Sequence, residues 1–242
     1  AIPRGSKNES AATAHVAAFA ARLGLPVKVD SVGNVLVTKP GTKGLENRPA
    51  VVLQGHLDMV CEKNSGTVHD FTKDPIRLVV DGDEVKADGT TLGADNGIGC
   101  AAALALLEAT DVAHPPLECL FTIDEETGLT GANALTPDFL TANRMLNLDT
   151  EEEGAIYVGC AGGLDTMAAT KVSRVAPAAG ASAYRISVTG LRGGHSGCDI
   201  HEGRVNALKV LARAVTEAEG HGFAPATLDG GSKRNAIARE GF

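Results

Sequence analysis

The sequence predicts an α/β layer fold, and three observations carry that prediction. Helix-periodic and strand-like segments alternate from the N-terminus to Asp149. The runs around Val51-Val52-Leu53 and Leu120-Phe121 are apolar on consecutive residues, as in strands buried on both faces of a parallel sheet. Beyond Gly162-Gly163 the texture changes to alternation of apolar and polar residues, the pattern of half-exposed antiparallel strands. A boundary there separates residues 1–162 from 163–242.

Ser6-Lys7-Asn8-Glu9 has the form of a capping box, and behind it Ala12, Val16, Phe19 and Leu23 recur at helical spacing until Gly24 stops the helix. "VKVDSVGNVLVTKP" reads as a pair of short strands turning near Gly33-Asn34, and "PAVVLQGHLDMV" as the first buried strand. "IRLVVDGDEVKADG" is a second hairpin, turning at Asp81-Gly82-Asp83. "GADNGIGCAAALALLEAT" is a loop that becomes an apolar helix near Asn96. "LECLFTI" is the second buried strand and "RMLNLDT" the third. In the second region "LDTMAATKV" and "AYRISVTGL" read as strands. "GRVNALKVLARAVTEAE" reads as an amphipathic helix, with Val205, Leu208, Leu211, Ala212 and Val215 on one face.

The bulk properties exclude several classes. A net charge of −8 gives no electrostatic basis for nucleic-acid binding. No run is apolar enough to span a membrane. Five scattered cysteines without a C-x-x-C argue against a disulfide framework or a zinc knuckle, and a reducing, cytoplasmic setting is expected. The first residue is Ala rather than Met, so a longer natural sequence is expected. "GTTLGADNGIG" lacks the Lys that a phosphate-binding loop requires, and there is no G-x-S-x-G.

The chemistry is concentrated where strands end. The first buried strand ends at His56, with Asp58 two positions on. The second ends at Asp124-Glu125-Glu126, the third at Asp149, and Asp95 precedes the apolar helix. In open α/β sheets the crevice beyond the carboxyl ends of the strands is where ligands bind. Each of these residues alone has a structural account, as a satisfied core histidine, a solvated loop or a helix cap. Together they place several carboxylates at one rim, where mutual repulsion calls for a cation. Imidazole with carboxylate suits zinc or a similar transition ion, and the number of acids suits two ions roughly 3.5–4 Å apart. His56 would be a ligand, with Asp58 on its other ring nitrogen, and Asp95 a bridge. Glu125 and Glu126, as neighbours in an extended segment, would diverge. One of them would then bind metal while the other faces the water.

"VVLQGHLDMV", "HDFTKDPI", "GTTLGADNGIG", "DEETGLTGA", "LNLDTEEEGAIYVGCAGG", "GLRGGHSGCDIH" and "GGSKRNAIARE" together resemble the aminoacyl-histidine (Xaa-His, carnosinase-like) dipeptidases. These are co-catalytic zinc exopeptidases related to glutamate carboxypeptidase and aminoacylase. The resemblance implies a three-layer catalytic domain over 1–162 and an inserted α+β, ferredoxin-like lid and dimerisation domain over 163–242, both incomplete in this chain. It implies His56, Asp95, Glu126 and Asp149 as metal ligands with Asp95 bridging, Glu125 as general base and Asp58 as support for His56. His195 of "GGHSG" would help stabilise the oxyanion, often across a dimer. Asn206, Arg234 and Asn235 would grip the substrate carboxylate, a task for which Arg has the bidentate geometry.

The implied cofactors are two divalent ions, zinc with cobalt or manganese as alternatives. The implied partners are a small peptide substrate and a second copy of the chain. The implied activity is hydrolysis of dipeptides such as carnosine. Another amidase, deacylase or tripeptidase of the same clan, or a non-catalytic metal-binding relative, is the rival. Longer relatives supply a second His ligand after the lid, so the second metal is expected to be under-liganded in this chain.

Overall fold

The computed structural model describes residues 2–64, 66–160, 162, 164, 166–231 and 236–242. Two compact units emerge, Ala1–Gly163 and Leu164–Phe242.

The first unit is built on helix α1 (Ser10–Arg22), strands β1 (Val27–Val29), β2 (Val35–Lys39) and β3 (Val51–His56), the hairpin β4 (Leu78–Asp81) and β5 (Glu84–Ala87), helix α2 (Ala94–Glu108), strand β6 (Leu117–Thr122), the short helices α3 (Glu125–Gly128) and α4 (Thr130–Ala134), and strand β7 (Met145–Asn147). Five strands form one mixed sheet in the order β1-β2-β6-β3-β7. The pairs β1–β2 and β2–β6 are antiparallel, whereas β3 runs parallel to both β6 and β7. The alternation of side chains along each strand divides the core into two layers. Val35, Val37, Leu53, Leu117, Cys119 and Phe121 meet Ala12, Val16 and Ala20 of α1 and Cys100, Ala103 and Leu107 of α2 on one face. Leu36, Val52 and Leu120 face the other way and are covered by Leu135, Phe139, Leu140 and Ala142. The result is a three-layer α/β arrangement.

Three local readings change. The capping box does not form: Glu9 is the N-cap of α1 without a side-chain cap bond, because Ser6 and Glu9 hydrogen-bond elsewhere, as described below. The segment after β6 is not extended. Asp124 adopts left-handed backbone angles and opens the α3 turn, and its carboxylate accepts from the hydroxyls of Thr127 and Thr130. Strand β7 forms, but all three of its residues are exposed. It is the outermost strand, a position that its apolar sequence cannot encode.

The second unit contains strands β8 (Gly194–His195) and β9 (Ala236–Ile237), a 3-10 turn at Ile200–Glu202 and helix α5 (Ala207–Glu219). Its buried apolar residues are Ala207, Leu211, Ile237 and Ala238. The predicted helix is present, but Val205 precedes it, and Val205 and Ala212 are exposed. The strands read at "LDTMAATKV" and "AYRISVTGL" do not form among the described residues, apart from a bridge between Val188 and Gly241. Alternation provides an apolar face, but a strand also needs a neighbour for its backbone groups.

Candidate metal centre

The register of the parallel pair sets His56 opposite Thr122, so the loops leaving β3 and β6 start side by side. Asp149 follows β7 closely, and Asp95 lies at the start of α2, where its backbone angles and those of Asn96 are not helical. The helix proper therefore starts after Asn96.

His56 is 1% exposed and lies between carboxylates. Its Nδ1 is 3.2 Å from Asp58 Oδ1, its Nε2 is 2.9 Å from Asp95 Oδ1, and Asp149 Oδ1 is 3.6 Å from the same Nε2. Burial alone would lower the imidazole pKa, but the acceptors Asp58, Asp149 and Asp95 outweigh it and raise His56 to about 9. Ligand atoms of His56, Asp95 and Asp149 lie within 4.8 Å of one another, and so do those of His56, Glu125 and Glu126. The two glutamates thus converge on the imidazole rather than diverging, because α3 is helical where an extended segment was expected.

Asp58 is fully buried and accepts from three donors besides its contact with His56. These are the Ser6 hydroxyl (2.7 Å), the Glu125 amide (3.0 Å) and the Glu126 amide (3.1 Å), with the Asp58 carboxylate spanning the start of α3. Burial would raise its pKa, yet His56 and these donors hold it at about 2. Among the described residues the other carboxylates have fewer such donors. Burial pushes Glu126 up to about 7, with Asp95 and Glu125 adding repulsion. Burial also raises Glu125, opposed by His56 and reinforced by Asp149. Asp149 is raised mainly by burial, though it accepts from Asn96 Nδ2 at 2.7 Å.

These residues fit a divalent cation by their own chemistry. A buried imidazole driven to hold two protons beside unneutralised carboxylates marks a place where positive charge is wanted. The donor set of one imidazole and several carboxylate oxygens is that of a transition ion rather than calcium. A third group of acids, Glu9, Asp58 and Asp124, is equally close-packed but is satisfied by amides and hydroxyls. The Glu9 Oε1 accepts from the amides of Lys7 (2.8 Å) and Asp124 (3.0 Å). Cys100, read as a core residue, is buried, donates from Sγ to the His56 carbonyl at 3.1 Å and is pushed up to about 12 by burial.

In the second unit His195 is exposed. Its Nδ1 accepts from the amides of Gly197 (3.1 Å) and Cys198 (3.0 Å), which leaves Nε2 to carry the proton of the neutral ring. Asn206 is the N-cap of α5, its Oδ1 accepting from the amides of Leu208 (3.0 Å) and Lys209 (3.3 Å). Arg234 and Asn235 lie outside the described residues. Sequence reasoning did not find Arg4, Ser6, Glu9 or Asn96 as contributors. Their roles are long-range contacts that no periodicity encodes.

Comparison with known proteins places the chain among peptidases. The chain is 50% identical over 242 residues to the cytosol non-specific dipeptidase of Escherichia coli K12, covering all of this chain and 50% of the relative. It matches the crystal structure of aminoacylhistidine dipeptidase from Vibrio alginolyticus with a TM-score of 0.67 and 46% identity, over 99% of this chain and 49% of that one. A tripeptidase structure from Staphylococcus aureus matches at a TM-score of 0.51 and 20% identity, over 99% and 61% of the two chains, a likeness of fold alone. The chain thus spans about half the length of the two dipeptidases it matches. A sequence model described as peptidase family M20/M25/M40 matches residues 52–237, and this chain belongs to that family.

Proposed function

We propose that the whole protein is a cytoplasmic metal-dependent dipeptidase whose centre holds two divalent cations, zinc in the first instance. The observation that carries this reading is the convergence of Asp95, Asp149, Glu125 and Glu126 on the buried ring of His56. His56, Asp95, Glu126 and Asp149 would hold the cations, with Asp95 between them. When bound, the cations would polarise the scissile carbonyl and acidify a water.

The chain's own residues do the rest. Asp58 fixes the His56 ring through Nδ1, so that Nε2 faces the cation site. Glu125, whose affinity for a proton is raised by burial, is suited to take a proton from the attacking water and return it to the leaving amine. His195, with its proton on Nε2, would be a donor for the developing oxyanion, often across a dimer in relatives of this kind. Residues 163–242 would be the first part of a lid through which the protein dimerises. Asn206, Arg234 and Asn235 remain its candidates for holding the substrate carboxylate.

The substrate is proposed to be an unblocked dipeptide with a C-terminal His, as in carnosine. Of the two dipeptidase relatives, one is called non-specific and the other aminoacylhistidine dipeptidase, so breadth is what must be measured. Glu125→Ala in the full-length protein should lower turnover by roughly 10²–10⁴-fold with metal content unchanged. Retained activity would remove Glu125 as the base. A panel of dipeptides with and without a C-terminal His decides specificity, and equal rates across it would reject the Xaa-His preference.

A further inference from the structure

The residues before α1 do not form a cap, and their side chains run instead to the metal centre. Arg4 is the farthest-reaching. Its Nη1 donates to the carbonyls of Leu57 (2.8 Å) and Asp58 (3.0 Å), on the loop that leaves β3, and its Nη2 donates to the carbonyl of Gly93, two residues before Asp95. One planar cation thereby ties together the two loops that supply His56, Asp58 and Asp95. Its seat is made by glycines. A Cβ on Gly93 would stand 2.7 Å from Nη2, and one on Gly97 2.8 Å from it. Gly93 also has a left-handed φ of +75°, so no other residue fits there without strain.

Two further contacts extend the same segment. Ser6 donates to Asp58, and Glu9 accepts from the amide of Asp124, the residue before Glu125 and Glu126. The backbone follows the same path, with Gly5 bridged to Met59.

We propose that Arg4 is a positioning residue for the metal ligands, the central strut of a brace formed by Arg4, Ser6 and Glu9 that sets the spacing between the loops bearing His56, Asp95 and Glu125-Glu126. The inference rests on the metal reading of the same site. It goes beyond that reading by assigning the geometry of the ligand set to a segment that contributes no ligand. A cation site is sensitive to such support, because a carboxylate displaced by a fraction of an ångström loses much of its coordination. A guanidinium also suits the task where an ammonium does not, since its fork reaches carbonyls on two loops at once.

The test is titration of the metal-free full-length protein with Co²⁺ alone, following the visible absorption that reports ligand geometry. Arg4→Met should weaken Co²⁺ binding by about 10–100-fold and alter the band. Arg4→Lys should recover only part of either. Lys39→Met serves as the control: Lys39 Nζ donates to the carbonyls of Leu106 (2.8 Å) and Ala109 (2.5 Å) at the C-terminal end of α2, away from the site. It should lower the melting temperature while leaving Co²⁺ affinity and spectrum as in the wild type.

If Arg4→Met also melts earlier but keeps wild-type affinity and spectrum, the brace is only structural and the proposal fails. If Arg4→Met does not fold, Gly97→Ala decides. Its helical backbone accepts Ala, so an unchanged affinity and spectrum would overturn the proposal and a weakened, shifted one would support it. A full-length wild-type protein that binds no Co²⁺ would instead remove the metal reading, and this inference with it.

Discussion

Glu9, Asp58 and Asp124 form one group of carboxylates at the rim of the sheet, and Asp95, Glu125, Glu126 and Asp149 form another. The first group is more buried, with Asp58 fully enclosed, yet each member accepts from amides or hydroxyls of its surroundings. The second group is partly open, Asp95 being 48% and Asp149 25% exposed. Its members find chiefly one imidazole and one another. Depth is therefore not what separates a structural acid from a metal-competent one. The first group has its lone pairs filled by neutral donors and needs no ion. The second has surplus negative charge, which raises the proton affinity of His56 and Glu126 and which a bound cation would offset.

The largest expected effect that would break this comparison is on metal affinity. Asp149→Asn removes one charge from the second group. Loss of residues that merely support a ligand typically costs 10–100-fold, so loss of a ligand should exceed about 100-fold. The metal-free chain should melt no earlier than the wild type, because like-charge repulsion is relieved. Calorimetric titration and a melting curve check both, and early melting of the metal-free variant would place Asp149 in the structural group.

Asp124→Ala should do the reverse. Two threonine hydroxyls would lose their acceptor and a left-handed position would lose a tolerant residue, a destabilisation of about 2–3 kcal/mol measurable by urea unfolding. Stability within error of the wild type would show that the hydrogen bonds to Asp124 do not hold the loop.

A smaller effect concerns pH. Glu126 is raised from 4.5 to about 7 and His56 from 6.5 to about 9. The folded metal-free chain therefore prefers both groups protonated. The stability contributed by Glu126 is present below 4.5 and lost as pH rises through about 7, and that from His56 is present below 6.5 and lost through about 9. Asp58, held at about 2, changes only in acid below this window. Cation binding meets less proton competition over the same rise. The increase in melting temperature on adding Zn²⁺ should thus be larger near about pH 8 than near about pH 5.5. An increase independent of pH would mean that the ion does not displace these protons.

The smallest effect is expected from Ser6→Ala. The loss of one donor to a carboxylate that keeps three others should cost about 1 kcal/mol in unfolding free energy.

Much of this was legible in the residues themselves. The apolar runs at Val51-Leu53 and Leu120-Phe121 carry their own strand signal, and His56, Asp58, Asp95, Glu126 and Asp149 could be gathered because each stands at a strand end or helix start. Glu125 and Glu126 were legible as neighbours but not in direction. The turn that aims both at His56 depends on Asp124 finding Thr127 and Thr130, and on Asp58 receiving the two amides from across the sheet. Ser6 and Glu9 carry a local capping signal that distant partners override. The apolar letters of Met145-Leu146 cannot say that β7 is an edge.

The sequence by itself determined which residues carry charge, which segments have an apolar face to bury, and where the chemistry would surface, since hydrophobic period and side-chain type are local properties. Only the tertiary structure decided which carboxylates are quenched by amides and hydroxyls and which are left for a cation. Local hydroxyls serve Asp124, but the division also depends on donors to Asp58 and Glu9 from residues dozens of positions away, whose arrival is set by strand order and register.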